Sequence, residues 1–221
     1  MNRRRPSKLG VAASLTLACA ACGSAAHRRA SVAATSASIP STYEQACASE
    51  GAVCLPGAAG SIPGALKRPL HFPVLQPGDR CPASRGRAVN TPSFAGIALG
   101  NGPVRVLIDN AGDLSHGIGI LSRVPSSPGW LAFKTHWFST PTYSGPFVVR
   151  AKRLGRPGPI ARGETPTSKV LVVPPGPTVN GGSGWREAPD PTWVKSAGCY
   201  AWQVDGLGFS ETIVVSARSP R

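Results

Sequence analysis

The 221 residues include only four histidines, His27, His71, His116 and His136, which leaves few positions for acid–base or metal chemistry. His116 lies in "DLSHGIG" with Asp113 and Ser115, the residue types of a hydrolytic triad. Such a triad is made by geometry in space rather than by adjacency in sequence, so the cluster reads as a polar loop. "GGSGW" (181–185) approaches the G-x-S-x-G nucleophile elbow, but Trp185 stands where the last glycine is required. No P-loop, G-x-G-x-x-G or HExxH pattern occurs. One Met and scattered His give no copper set, and the ten acids form no close pair of the glycosidase kind. The sequence therefore predicts no catalytic residue, no metal, no cofactor and no enzyme activity.

Binding chemistry has better candidates. Trp130, Lys134, His136 and Trp137 are the densest grouping of aromatic and cationic side chains. Exposed rings beside cations stack on sugars or bases, so these four are the candidate binding residues. The competing reading puts both Trp rings in a core. Residues 174–191 form a second candidate, a long loop that serves either for binding or as a connector.

The first residues read as an export signal. Arg3, Arg4, Arg5 and Lys8 precede a thirteen-residue apolar run, 9–21. A bilayer span takes about 20 residues, so the run predicts a cleaved signal peptide. In "LACAACGS", small residues precede Cys22 and Gly23-Ser24 follow it. This resembles the bacterial lipobox, although Cys19 occupies the position where that motif favours Leu, Val or Ile. Lipidation of Cys22 is the expectation, and an ordinary cleavage near Ala21 the alternative. Two acyl chains at ~0.8 kcal/mol per buried CH2 would anchor the protein stably. It would then sit on the outer face of a bacterial cell membrane, or be secreted if unlipidated. The formal charge is +14, and loss of residues 1–21, with three Arg, one Lys and no acid, leaves +10. That balance favours anionic partners, namely envelope polymers, phospholipid headgroups or nucleic acid. An Arg-, Ala-, Gly- and Pro-rich composition is also what a GC-rich genome encodes.

Beyond the signal, Cys47, Cys54, Cys81 and Cys199 are an even number, as in an oxidising compartment, and allow three pairings. "CASEGAVC" lacks zinc-ligand spacing and predicts a local Cys47–Cys54 disulfide. Residues 22–80 are first Ala/Ser/Thr-rich and then Pro/Gly-rich, which predicts a disordered stalk reaching roughly 40–45 Å. Residues 81–217 carry short β-branched and aromatic runs between Gly/Pro turns, at 103–109, 130–138, 146–154 and 169–173. No apolar stripe has helical period. At 198–217, Asp205-Gly206 is a turn signal between two alternating runs; with a two-residue turn there or a four-residue loop over 205–208, Trp202, Phe209 and Ile213 share one face. Asp205 is expected in the turn and Glu211 at an edge. The expected fold is an all-β, immunoglobulin-like antiparallel β-sandwich behind the stalk.

Several segments carry a resemblance: "CPAS" (81–84), "GPV" (102–104), the set Trp130, Lys134 and Trp137, "YSGPFVVRAKRLG" (143–155), and "GWREAPDPTWV" (184–194) leading into "GCYAWQVDG" (198–206). Over about residues 80–217 the chain resembles a family of uncharacterised bacterial secreted proteins and lipoproteins with a single β-rich domain. The resemblance implies fold and location more than activity. It also implies a Cys81–Cys199 disulfide, which could stabilise by ~4–5 kcal/mol in the chain-entropy model. Ala151 and Lys152 follow Arg150 where the family pattern has glycine, so no role is carried over for that segment. The expected function is that of a non-catalytic binding or structural module in a cell-envelope lipoprotein. One alternative is an extracytoplasmic hydrolase acting on wall or lipid, marked by a pocket joining His116 or His136 to a Ser and an acid. The other is a surface protein that binds anionic polymers or nucleic acid.

Overall fold

The structure is a computed structural model that describes residues 52–54, 64–109, 111–176 and 182–220. Cys22, Cys47 and the side chain of Cys54 lie outside the described residues, and with them the lipidation site and the Cys47–Cys54 bridge.

The described residues form strands β1 (Ala52–Cys54), β2 (Arg87–Asn90), β3 (Ala95–Leu99), β4 (Val104–Ile108), β5 (Ala111–Asp113), β6 (Ile118–Ile120), β7 (Ser122–Arg123) and β8 (Leu131–Phe133). They continue with β9 (Thr135–Ser139), β10 (Phe147–Arg153), β11 (Ile160–Arg162), β12 (Val170–Val173), β13 (Arg186–Pro189), β14 (Thr192–Val194), β15 (Gly198–Gly206) and β16 (Phe209–Arg218). A seven-stranded sheet runs β1-β12-β10-β15-β16-β6-β5, a four-stranded sheet β11-β14-β8-β7, and a five-stranded sheet β13-β9-β4-β3-β2.

Period-two alternation decides which side chains meet. In β4, Val104, Val106 and Ile108 are buried while Arg105 and Leu107 are half-buried. The inward faces of the two smaller sheets supply Val106, Phe133, Trp137 and Val194 to a core whose other wall is Val149, Trp202, Ile213 and Val215 of the large sheet. Trp202 meets Trp137 and Phe133 edge-on, at centroid distances of 5.7 and 5.8 Å. Edge-to-face contacts of this kind add about 0.5–1.5 kcal/mol each beyond area burial. The all-β sandwich expectation holds. Two pairings are parallel, β1 with β12 and β16 with β6, which an all-antiparallel sandwich lacks. Both join segments distant in sequence, where no tight turn imposes antiparallel order.

The C-terminal hairpin pairs Gly206 with Phe209 and Trp202 with Ile213. Trp202, Phe209 and Ile213 share the core face as expected, but the turn is Leu207-Gly208, not Asp205-Gly206. Gly208 has φ +81°, a conformation that glycine adopts without steric cost. Asp205 is therefore a fully buried strand residue. It pairs with Arg150 at 2.5 Å and accepts hydrogen bonds from Gln203 and Ser210.

The stalk boundary at residue 80 also moves. From Gly64 onward the Pro-rich chain lies as a strap on the outer face of the seven-stranded sheet. Leu66 is buried, and Phe72 and Leu75 pack with Leu154, Ala201 and Val214. Prolines cannot donate, but the strap's carbonyls accept: Gln203 Nε2 donates to Pro69 O at 3.0 Å, and Arg150 Nη2 to Arg68 O at 2.6 Å. His71 N donates to Gln203 Oε1 at 2.6 Å. Polar side chains on the outer face of the sheet thus replace the missing strand ladder. Just beyond the strap, Cys81 is bonded to Cys199 across 118 residues of chain, as the resemblance implied.

Candidate functional site

The structure separates the four candidate binding residues. Trp137 is fully buried in the core, with the Arg162 guanidinium 5.3 Å from its ring centroid. Lys134 and His136 both turn to Asp109, at 2.7 and 3.2 Å. The bond to Asp109, with its charge, raises the Lys134 pKa above its ordinary value. Trp130 is half-buried on the outer face of the four-stranded sheet, packed with Ala132, Ala161 and Trp193. The reason is register. Trp130 immediately precedes β8 of the four-stranded sheet, Trp137 lies in β9 of the five-stranded sheet, and Lys134 separates the two strands.

Asp113, Ser115 and His116 do meet. His116 Nδ1 lies 2.7 Å from Asp113 Oδ2, and Ser115 Oγ donates to Asp113. These bonds, from Ser115 first and then His116, lower the Asp113 pKa. Ser115 Oγ also approaches His116 Nδ1, at 3.1 Å. Serine and aspartate thus share one ring nitrogen, whereas a nucleophile relay needs them on opposite nitrogens. The long loop candidate is partly strand: β13 pairs with β9, and Asp190 behind it is fully buried, while residues 177–181 lie outside the described residues.

One end of the four-stranded sheet gathers a different set. Register aligns Ile160 with Val194, Val194 with Leu131, and Leu131 with Arg123. Residues that enter or leave these strands at that end therefore lie side by side, over about 14–15 Å at normal strand spacing. Arg123, Trp130, Lys195 and the 156–159 loop occupy this row. Lys195 Nζ sits 3.9 Å from the Trp130 ring centroid. A groove of about 560 Å³ runs here, lined by Arg123, Val124, Pro128, Trp130, Leu131 and Lys195 among others. Across the loop formed by residues 195–197 lies a second groove of about 470 Å³, lined by strap residues Pro73, Val74 and Leu75 and by 151–158 and Ile160. The intervening loop is held from below: Arg153 Nη2 donates to Ala197 O at 2.8 Å, and Tyr200 Oη to Ser196 O at 2.6 Å.

Neither groove is lined by an Asp or Glu. Among the described residues, Arg123, Lys152, Arg153, Arg156 and Lys195 have no ion-pair partner. The acids associated with this sheet, Glu164 and Asp190, follow Arg162 and precede Thr192, at its other end. A sequence signal for this segregation exists, since residues 114–163 contain no acid and seven Arg or Lys. The cations themselves could not be grouped without the strand register.

Among the described residues no His, Cys, Asp and Glu cluster suits a metal ion, and no helix is long and apolar enough to cross a membrane. A disulfide is compatible with an extracytoplasmic location. No protein-family model matches the chain, and comparison with curated proteins and with solved structures returns no match.

Proposed function

We propose that this protein is a non-catalytic cell-envelope module, held to the outer membrane face by a lipid on Cys22, whose cationic end binds an anionic polymer. The observation that carries the reading is the row Arg123, Lys195 and Arg156 along one sheet end, without carboxylate partners and beside the half-buried Trp130. Unpaired cations on a rigid edge attract polyanions and release their counterions on contact. Trp130 supplies a flat apolar surface for a sugar or base between charged groups.

The test uses fluorescently labelled polyphosphate as the probe and anisotropy as the readout. With three or four phosphates neutralised, affinity falls about 20- to 50-fold between 50 and 200 mM salt. Replacing Arg123 and Lys195 together with Ala removes two charge-assisted hydrogen bonds to phosphate and lowers affinity by about tenfold or more at low salt. Binding that ignores salt, or that ignores the double substitution, rejects the reading. A preference for single-stranded DNA over polyphosphate and over a sugar-phosphate polymer would move the assignment to nucleic acid.

A further inference from the structure

We propose that the groove between the strap and the end of β10 is a discrete site for an amphiphilic oxyanion, a phosphate or carboxylate on an apolar stem, with Arg153 taking its charge. The inference goes beyond the polymer reading and does not rest on it.

The argument begins with a charge that lacks a partner. Arg153 is 8% exposed, yet no carboxylate among the described residues pairs with it. Burying a cation is costly unless an anion and hydrogen bonds compensate. The guanidinium has only partial compensation. Nη2 donates to Ala197 O, and the Tyr200 ring lies 5.5 Å from Cζ. Nε is buried without any partner. Two guanidinium groups that do reach a carboxylate, the half-buried Arg150 at Asp205 and the fully buried Arg162 at Asp190, find their anion within the chain.

Arg153 also forms part of the groove wall. A Cβ on Gly158, another wall residue, would come within 2.8 Å of its Cδ and 3.0 Å of its Nη1. The absence of a side chain at 158 is therefore what leaves room for the guanidinium at the groove. The β12 ladder stops at Arg150, so the last residues of β10 have an open edge there. Around the buried cation most of the wall is apolar, with Pro73, Leu75, Ala151, Leu154, Pro157 and Ile160, while the exposed Lys152 and Arg156 add positive charge to the same groove. Val74, at 81% exposure, leaves further apolar surface uncovered at the rim. A volume of about 470 Å³ lies in the range of small-molecule sites. One buried donor set with apolar walls selects a ligand with one charged end and a greasy stem. A bare ion would leave the walls wet, and an uncharged alcohol would leave Arg153 uncompensated.

The experiment uses the full chain carrying Cys22→Ser, isolated with the Cys81–Cys199 bond formed, and octyl phosphate below its micelle concentration. Calorimetry gives affinity, and the Arg153 Nε–H resonance reports contact. Octyl phosphate binds with one-to-one stoichiometry and shifts that resonance. Inorganic phosphate and octanol each bind at least about tenfold more weakly, since each lacks one half of the match. Arg153→Met weakens octyl phosphate by about tenfold or more. Gly158→Ala, which leaves the charge but pushes it aside, weakens it as well and keeps the proposal testable if Arg153→Met fails to fold. Equal binding of octanol, an unmoved Arg153 resonance, or undiminished affinity in Gly158→Ala overturns the assignment. Polyphosphate binding that depends on Arg123 and Lys195 is a separate result in the other groove, so either reading can fail alone.

Discussion

Replacing Asp190 with Asn tests whether the buried ion pair holds the four-stranded sheet to its neighbour. Arg162 and Asp190 are both fully buried. Arg162 Nε donates to Asp190 Oδ2 at 2.6 Å, and Gly163 N donates to Oδ1 at 2.8 Å. Trp193 Nε1 donates to Gly163 O at 2.7 Å, and Asp190 N to Thr135 O at 3.0 Å. The carboxylate therefore ties the β11 end to the β13–β14 link, which the Asp190 backbone in turn joins to β9. Burial pulls the Arg162 pKa down, and Asp190 acts against that. Asn at 190 keeps a carbonyl for Gly163 but leaves the guanidinium without a counter-charge. Orphaning one member of a buried pair costs about 3–5 kcal/mol. For a domain of this size that lowers Tm by about 6–20 °C. The assay is urea unfolding at neutral pH with the disulfide intact, followed by fluorescence of the core tryptophans. The paired variant Arg162→Met/Asp190→Leu removes both charges and lets Met lie against Trp137. It leaves only the Gly163 N–H orphaned, at about 1–3 kcal/mol, and should be more stable than the single variant. A single-variant loss below about 1 kcal/mol, or a paired variant no better than the single, refutes this account.

Three further outcomes follow from other parts of the fold. Reducing the Cys81–Cys199 bond, or replacing both cysteines with Ser, lowers stability by up to about 5 kcal/mol in urea titrations, because the bond closes a loop of well over a hundred residues in the unfolded chain. Gly208→Ala costs about 1–2 kcal/mol by the same titration although nothing lies within 4 Å of the new methyl, since the strain is in φ +81° alone. Burial, the leading cause, raises the pKa of Tyr143 and Tyr200 above the usual phenol value. Both favour the protonated form in the folded state. Their contribution is present below the unfolded value near 10 and is lost as pH rises through the folded values. Absorbance at about 295 nm should show these tyrosines ionising at higher pH in the native protein than in urea; coincident curves would contradict the burial argument.

What the sequence made legible was what alternation controls. The runs at 103–109, 146–154 and 169–173 became β4, β10 and β12, and the shared face of Trp202, Phe209 and Ile213 was correct because a register shift by an even number of residues preserves it. The turn was misplaced for the same reason: alternation does not distinguish Asp-Gly from Leu-Gly two residues on, and the burial of Asp205 depended on Arg150 across the sheet. The strap was misread because its Pro-rich composition speaks only for its own missing donors. The acceptors it offers to Gln203 and Arg150 become visible only when β10 and β15 are paired. The grouping of the four binding candidates came apart at a further level. Trp130 and Trp137 are close in sequence, yet the chain passes from the outer face of one sheet to the core face of another between them.

The cationic end gains its meaning from how firmly the loop at 195–197 is fixed. A loop between two strands would ordinarily be the mobile part of a sandwich. Here Arg153 and Tyr200 hold its carbonyls from the adjoining strands, and Lys195 rests on Trp130. The Cys81–Cys199 bond lies one residue from Tyr200, joining the strap to the same strand that carries the loop forward. A long cation held in place loses less freedom on meeting an anion than one that is free to wander, and that saving is a direct gain in affinity. The two grooves differ in lining: one has Arg123 and Lys195 beside an aromatic platform, and the other is largely apolar around the buried Arg153, with Lys152 and Arg156 exposed on its wall. An anionic polymer carrying an apolar group at one end has the chemistry that both readings call for, and its second contact would be made at the high effective concentration set by the first.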